Sequence, residues 1–302
     1  MTVPTYLKRG DTIAICCPAG YMNGEKVVTC IATLQNEGYE VIVGETVGGH
    51  SPNYFSGTDE ERLTELQQFL DNKNINAILC ARGGYGISRI IDQFCFKKFL
   101  KYPKWIIGFS DVTVIHSYLF SNFKIASLHA SMAAAFNDGG DKSENILSLL
   151  AALKGTKGDY HIAPNISNKN GIATGKLIGG NLTLLANGIG TSSDIKTNKC
   201  ILFLEDLDEQ LYNIDRMLVQ VKRSGMLKDL AGLVVGGFTD LKDTERPFGK
   251  NIYEIFTELV AEYDYPVCFD FPVSHSENNV ALKHGMKHTL FVDDDGVMLK
   301  EI

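Results

Sequence analysis

Short apolar runs alternate with amphipathic stretches through the first half of the chain. The runs are rich in Ile, Ala and Val, which is the pattern of strands buried on both faces of a sheet. They fall at 12–17, 39–43, 77–81 and 105–109. Between two of them, Leu63, Leu66 and Leu70 recur at the spacing of an apolar stripe on a helix. Strands that alternate with helices in this way predict right-handed βαβ units and a doubly wound parallel sheet.

Capping signals mark the ends of some predicted helices. Thr58, with Glu61 three residues later, forms a capping box at the start of the leucine-striped helix. Gly38 closes an earlier helix. Apolar spacing predicts further helices around 87–91, from 111 to 119 and at 145–153, and a further strand at 124–129.

The amino-acid composition of the chain changes between Gly155 and Ala173. This stretch is poor in large apolar residues and rich in Gly, Asn, Ser and Lys, which is typical of a domain boundary. We therefore expect an α/β domain at 1–155, a linker at 156–172 and a second, smaller domain at 173–302. Short strands at 171–180 and a terminal hairpin that turns at Asp295 and Gly296 predict a mixed α+β character for it. The first sheet is expected to be of the flavodoxin or glutamine-amidotransferase kind.

Composition limits the classes of partner. A net charge of -7 disfavours nucleic acid as a partner, because phosphate binding needs a basic face. The apolar run Thr12 to Pro18 is too short for a signal peptide, so we expect no membrane partner and a cytoplasmic location. Six of the seven cysteines lie in apolar runs, which indicates buried thiols rather than a disulfide framework.

Ser110 stands where a buried strand gives way to a helix. A hydroxyl on such a turn is held outside the sheet beside the first amides of the helix, as in a nucleophile elbow. Gly108 supplies one glycine of the Gly-x-Ser-x-Gly pattern, but Val112 replaces the other. The alternative is that Ser110 caps the helix, since serine is a favoured N-cap residue.

A glycine cluster, Arg82-Gly-Gly-Tyr-Gly86, follows the strand at 77–81. Parallel sheets bind ligands at the carboxyl ends of their strands, so this loop and Ser110 are expected to line one crevice. Nucleotide binding is disfavoured because the spacing of phosphate-binding loops is missing. Two interpretations remain open: glycines for a tight turn, or a backbone N–H that faces a developing oxyanion.

A serine nucleophile needs a base and an acceptor that orients it. His275 lies between an apolar strand with a proline and a polar loop, and ranks slightly above His129, which closes a strand of the first sheet. The remaining histidines are less distinctive: His50, His116, His161, His284 and His288. Glu205 follows the run at 200–204 and is the candidate acceptor. The alternative is a solvated acidic loop at 205–209 before a helix. Cys-x-x-Cys is absent, so no metal is expected.

Seven blocks in order give the sequence a resemblance to the LD-carboxypeptidase family of serine peptidases, which includes muramoyltetrapeptide carboxypeptidases and microcin-immunity proteins. The blocks are Gly10-Asp11 with Pro18-Ala-Gly20, 55–62, 82–86, 107–111, 179–182, 204–206 with 214–216, and 271–275 with Asn279 and Leu282. Ser274 departs from the glycine usual before the histidine, and His129-Ala-Ser131 departs from His-Gly-Pro.

The resemblance implies a set of site residues. Its catalytic triad falls on Ser110, Glu205 and His275, and its oxyanion hole on the backbone amides of Asp111 and Gly84. Arg82 and Asn181 are the candidates for substrate binding. The resemblance implies no metal and no cofactor, and a homodimer as the assembly.

The resemblance also implies a reaction. A murein tetrapeptide would lose its terminal D-alanine during cytoplasmic peptidoglycan recycling, in a cleft between the two domains. The small peptide would then be the partner, with no nucleic acid and no membrane. Two alternatives remain: an immunity-type peptidase that cleaves an aminoacyl-nucleotide amide, and an inactive homologue that only binds its ligand.

Overall fold

The computed structural model describes residues 1–49 and 51–302, so His50, one of the candidate histidines, lies outside the described residues. The chain forms two compact units. The first contains Met1–Thr156 and Val280–Leu282, and the second contains Lys157–Asn279 and Lys283–Ile302.

The first unit has the doubly wound parallel sheet that the alternation of strands and helices predicts. Five of its strands, all parallel, lie in the order β2, β1, β3, β4, β5. They are β1 Thr12–Cys16, β2 Glu40–Val43, β3 Ile75–Cys80, β4 Trp105–Gly108 and β5 Ser127–His129. The helices are α1 Val28–Asn36, α2 Asp59–Asp71, α3 Thr113–Phe123 and α4 Glu144–Leu153. β4 is buried throughout, as its apolar run indicates.

Local signals set several of these boundaries. At the start of α2, Oγ1 of Thr58 accepts from the Glu61 N–H and Oε2 of Glu61 accepts from the Thr58 N–H, which completes the predicted capping box. The helix expected around 87–91 is wrong, because this segment forms two 3-10 turns, Ile87–Arg89 and Ile91–Gln93. Ile90 interrupts them with φ -121°, outside the helical range.

The second unit contains a mixed seven-stranded sheet in the order β10, β9, β8, β7, β12, β13, β6. The strands from β7 to β10 are parallel, and β12, β13 and β6 run antiparallel to their neighbours. Their bounds are β6 Asp159–Ile162, β7 Gly171–Asn181, β8 Cys200–Leu207, β9 Gly232–Thr239, β10 Val267–Cys268, β12 Lys287–Val292 and β13 Val297–Glu301. The remaining strand, β11 Leu282–His284, belongs to the first sheet. The helices are α5 Leu182–Asn187, α6 Leu211–Arg223 and α7 Ile252–Val260.

Two expectations for this half need correction. The stretch 156–172 is not a free linker, because β6 lies within it and pairs with β13 from Val297↔Ile162 to Lys300↔Asp159. The short strands expected at 171–180 are one continuous strand, β7, which pairs with β12 on one side and β8 on the other. The terminal hairpin of β12 and β13 is as predicted.

After Asn279 the chain returns to the first unit at Val280–Leu282. There β11, which begins at Leu282, takes the edge position beside β5 and gives a six-stranded sheet. Within the described residues, no helix combines the length and apolar character needed to span a membrane. Six of the seven cysteines are buried free thiols and Cys95 is exposed.

Candidate active site

Ser110 occupies a strained turn at the end of β4. Its φ is +61°, in the left-handed region, and it is the first residue of a 3-10 turn, Ser110–Val112, that leads into α3. An L-residue there costs roughly 1–2 kcal/mol, which the surrounding structure must offset. The cap position of the turn is Phe109, not Ser110. The capping interpretation is therefore wrong, and Ser110 has the strained strand-to-helix turn that a nucleophile elbow requires. Its role as the nucleophile stays a prediction.

Gly108 and Val112 explain why one glycine of the elbow pattern suffices. Gly108 has φ +155°, and a Cβ built on it would lie 2.8 Å from Cγ2 of Val112 and 3.3 Å from Cβ of Cys80. A glycine at position 112 would leave an empty space beside Gly108, and the Val112 side chain fills that space. Gly108 has no room for a side chain.

The glycine loop passes directly over the serine. A Cβ on Gly83 would lie 2.8 Å from Cβ of Ser110, 3.0 Å from its Oγ and 3.3 Å from the Asp111 nitrogen. The resemblance implies Gly84 instead, which is exposed and has φ +99°. The pair of glycines was the signal for this close approach, but their pattern alone cannot tell which one touches the serine. The Gly84 amide stays the predicted second donor of an oxyanion hole.

The Asp111 side chain ties the elbow to the same loop. It is fully buried, and its Oδ2 accepts a 2.8 Å hydrogen bond from the Ile87 N–H. Burial raises the pKa of this carboxyl to about 6, although the bonds from the Ile87 and Gly86 backbone and the charge of Arg62 oppose the rise. The Asp111 N–H lies in the first turn of a helix, where amides have no acceptor within the helix. The side chain therefore fixes the loop, while the backbone nitrogen lies next to Gly83.

Arg82 precedes the two glycines and is exposed. Its Nη1 donates to the carbonyl of Tyr21, and its Nε lies 3.6 Å from the position of a Cβ on Gly20. Among the ion pairs of the described residues, Arg82 takes part in none, whereas the guanidinium groups of Arg62 and Arg89 both pair with Asp59. Arg82 is thus held at the loop with its charge available to an anionic group.

In the second unit, His275 and Glu205 form a charge-assisted pair. Nδ1 of His275 lies 2.6 Å from Oε2 of Glu205. Glu205 is fully buried in β8, so the solvated-loop interpretation is wrong for it. Burial raises its pKa, and the bond with His275 and that imidazole's charge act against the rise. A carboxylate in this position fixes the imidazole's orientation and favours the tautomer with its proton on Nδ1.

Asn181 links this pair to a second buried carboxylate. Its Oδ1 accepts from the Leu184 N–H at the start of α5, which leaves Nδ2 to donate to Oδ1 of Asp206 at 2.8 Å. The Asn181 amide also hydrogen-bonds Glu205 and lowers its pKa. These protein groups already occupy both ends of the Asn181 amide. Substrate binding by Asn181 stays a prediction.

Asp206 differs from the exposed charge that an acidic loop implies. It is buried, and its Oδ2 accepts from both N–H and Oγ1 of Thr183, at 2.9 and 2.8 Å. Asp208, two residues on, is exposed and pairs with Lys242. The acidic segment therefore divides between buried carboxylates inside β8 and the exposed Asp208 and half-buried Glu209 beyond it.

Ser274, which replaces the usual glycine, shapes the loop that carries His275. Its Oγ accepts from the Ser276 N–H at 3.0 Å and donates to the Asn278 carbonyl at 2.9 Å. A hydroxyl thus supplies bonds that hold the turn. His284 and His288 are buried, unlike their polar sequence surroundings, and His161 is exposed. The described residues contain no group of three His, Cys, Asp or Glu arranged to hold a metal.

Comparison with known proteins agrees with this geometry. Residues 13–130 match the LD-carboxypeptidase N-terminal domain and residues 174–290 match the LD-carboxypeptidase C-terminal domain. A probable murein peptide carboxypeptidase of Bacillus subtilis is 31% identical over 94% of this chain and 90% of its own length. The chain belongs to the LD-carboxypeptidase family. The resemblance predicted from the sequence blocks is confirmed.

Solved structures confirm the fold of this LD-carboxypeptidase family member. The crystal structure of muramoyltetrapeptide carboxypeptidase from Oxalobacter formigenes has a TM-score of 0.85 and 28% identity, and covers 96% of this chain and 98% of that one. MccF in complex with glutamyl sulfamoyl guanosine has the same TM-score with 20% identity, over 100% and 99% of the two chains. At that identity the likeness shows a shared fold.

Proposed function

We propose that this protein is a serine LD-carboxypeptidase that removes the terminal D-alanine from murein tetrapeptides. The observation that carries the proposal is the strained Ser110 turn, with the Gly83 backbone against the serine and the Asp111 N–H beside it. The bond between His275 and Glu205 supports it, because a base held in this way suits proton transfer from a serine.

The proposed reaction follows from these residues. Oγ of Ser110 attacks the carbonyl carbon of the L,D-peptide bond while Nε2 of His275 takes its proton. Backbone N–H groups of Asp111 and Gly84 stabilise the oxyanion of the tetrahedral intermediate. His275 then gives the proton to the leaving amine of D-alanine, and a water molecule hydrolyses the acyl-enzyme by the same steps. Glu205 keeps the imidazole in the required tautomer throughout.

A carboxypeptidase must also recognise a free carboxylate. Arg82 is our proposed partner for it, because the guanidinium has no carboxylate partner among the described residues and pairs with carboxylates in bidentate fashion. Its position one residue before Gly83 ties it to the loop that contacts Ser110. This gives the loop two functions, oxyanion stabilisation and substrate selection.

Incubation with free tetrapeptides tests the proposal. Substrates with diaminopimelate or lysine at the third position are compared, and mass spectrometry follows release of D-alanine. A tetrapeptide that ends in L-alanine is the control for stereochemistry. We expect release from at least one D-alanine substrate, and its absence from both would overturn the proposal.

Variants assign the base in the same assay. His275→Ala is expected to be nearly as severe as Ser110→Ala, and the double variant no worse than either, because triad members act as a unit. His129→Gln is the comparison, since His129 is the competing candidate. If that variant alone lost turnover, the base would be assigned wrongly.

The fold shared with MccF favours one alternative, cleavage of an amide in an aminoacyl nucleotide analogue. An aminoacyl sulfamoyl nucleoside in the same assay distinguishes it from the tetrapeptide reaction. An inactive ligand-binding homologue would bind a tetrapeptide without cleaving either substrate. A cytoplasmic setting in peptidoglycan recycling and a homodimer belong to the main proposal, and cell fractionation and light scattering test them.

A further inference from the structure

His116 lies beneath the nucleophile elbow, although nothing in its sequence position indicates a role there. It is fully buried in α3, and its Nε2 lies 2.8 Å from the carbonyl oxygen of Gly108. Side chains on a helix point back towards its N-terminus, so a residue in the first turns of α3 reaches the end of β4.

The Gly108 carbonyl is held from two sides. It also accepts a 3.2 Å hydrogen bond from the Ala130 N–H, just after β5, where Gly108 is in register with His129. The two donors belong to different elements, α3 and the end of β5. This carbonyl is part of the peptide group that precedes Phe109, so its orientation determines how the chain enters the turn at Ser110.

The protonation state of His116 suits this bond. A carbonyl oxygen can only accept, so Nε2 must carry the proton. Burial lowers the pKa of the imidazole to about 4, although the bond to Gly108 opposes the shift. The ring lies close to the buried His129 ring, with centroids 6.4 Å apart. The imidazole is thus a neutral Nε2–H donor at neutral pH.

We infer that His116 is a positioning residue for Ser110: its Nε2–H fixes the Gly108 carbonyl and so holds the serine in its left-handed conformation. This inference rests on the proposed function of Ser110 as the nucleophile. Without the bond, only the longer bond from the Ala130 N–H holds the peptide before Phe109, and the strain at Ser110 can relax. A shift of about 1 Å in a reacting atom costs on the order of 100-fold in rate.

Two substitutions separate the effect of the Nε2–H donor of His116 from the effect of the volume of its side chain. His116→Gln places an amide N–H near the position of Nε2, whereas His116→Met keeps a long side chain and removes the donor. Leu119→Met is the matched control, because Leu119 is a fully buried residue of the same helix and this change conserves volume. The measurements are kcat and KM on the tetrapeptide, the rate at which a fluorophosphonate labels Ser110, and the midpoint of urea unfolding.

For His116→Met we expect kcat and labelling to fall roughly 10- to 100-fold with little change in KM. His116→Gln should recover most of that loss, and Leu119→Met should resemble wild type. Equal losses in the Met and Gln variants that track their unfolding midpoints would show a packing role only and overturn the inference. So would full activity in His116→Met.

The labelling reaction also separates this inference from the substrate proposal. If wild-type Ser110 is labelled but no tetrapeptide is cleaved, the proposed substrate is wrong and the comparison of variants still stands. If wild-type Ser110 is not labelled, the assignments of Ser110 as the nucleophile and of His116 as its positioning residue are both overturned.

Discussion

Nδ1 of His275 lies 2.6 Å from a carboxylate oxygen of Glu205 that has no exposure to solvent. A buried carboxylate keeps its charge only at a cost, and here a histidine and an asparagine amide offset part of that cost. The pair therefore depends on its charge as well as its shape, which makes an amide substitution informative.

Glu205→Gln should leave a folded protein with very slow turnover. The amide keeps the shape but can present a donor to Nδ1 and favour the wrong tautomer. The equivalent change in a Ser-His-Asp enzyme costs on the order of 10⁴ in turnover. Steady-state kinetics, with circular dichroism to verify folding, measure this effect. Asp208→Asn is the matched control, because Asp208 is an exposed charge near the same strand end and its loss should leave turnover unchanged. Equal losses in both variants would refute the assignment.

Asp206→Asn is expected to act on stability. The carboxylate accepts bonds from Asn181 and from two groups of Thr183, and an amide cannot accept from all of them with the same strength. Hydrogen bonds to a charged group contribute about 1.5–3 kcal/mol, so the free energy of unfolding should fall by about that amount. Urea titration measures it. A variant as stable as wild type would show that the network around Asp206 contributes little.

Ser110→Gly and Ser110→Ala should both lack turnover but differ in stability. Glycine adopts φ +61° without a steric penalty, whereas alanine, like serine, has a Cβ and retains the penalty. Ser110→Gly should therefore gain roughly 0.5–1 kcal/mol in the free energy of unfolding relative to Ser110→Ala. Paired urea titrations provide the comparison. Equal stability would mean that the turn relaxes when the hydroxyl is absent.

Gly83→Ala should abolish most activity. The new methyl group would lie 2.8 Å from Cβ of Ser110, closer than side-chain carbons approach, so the loop or the serine must move. Displacement by about 1 Å corresponds to a loss on the order of 100-fold in kcat. Gly24→Ala serves as the control, because a Cβ there meets its nearest atom at 3.6 Å. Normal turnover in Gly83→Ala would show that the loop does not need its close approach.

Asp111→Asn should change how stability depends on pH. The folded-state pKa of about 6 lies above the ordinary value of 3.8, so the folded protein binds more protons between these values. The contribution of this carboxyl to stability is thus fully present below the ordinary value and is lost as pH rises through about 6. In Asp111→Asn, the fall in the free energy of unfolding over this pH range should be smaller than in wild type by roughly 1–3 kcal/mol. Unfolding free energies at pH 4 and pH 7 test this, and identical differences in the two proteins would contradict it.

Periodicity was sufficient for most of the first sheet and for the terminal hairpin, because their apolar residues follow the spacing of the elements they form. It failed at 87–91, where isoleucines with helical spacing lie in two 3-10 turns. Their burial satisfies the hydrophobic effect without a continuous helix. It also failed at 156–172, where polar edge strand β6 depends on pairing with β13 rather than on its own apolar residues.

The sequence predicts the candidate site about as far as it predicts the fold. Ser110 and its strand were readable from local pattern, and the bond between His275 and Glu205 agrees with the resemblance. Contacts made through space were not readable. The approach of Gly83 to Ser110 and the burial of Asp206 depend on residues far apart in the chain. The bond between His116 and Gly108 spans 8 residues and depends on the turn that joins β4 to α3.

The return of the chain at Val280–Leu282 limits how the gene can be divided. The first unit is not one continuous stretch, so a fragment that ends at Thr156 lacks β11 beside β5. Its β5 would then be an exposed edge, and unpaired strand edges recruit other chains. Recombination that exchanges the N-terminal half alone would pair its β5 with a β11 from the other parent. Size-exclusion chromatography of fragment 1–156 should therefore show species larger than a monomer, and a clean monomer would show that the last strand is dispensable.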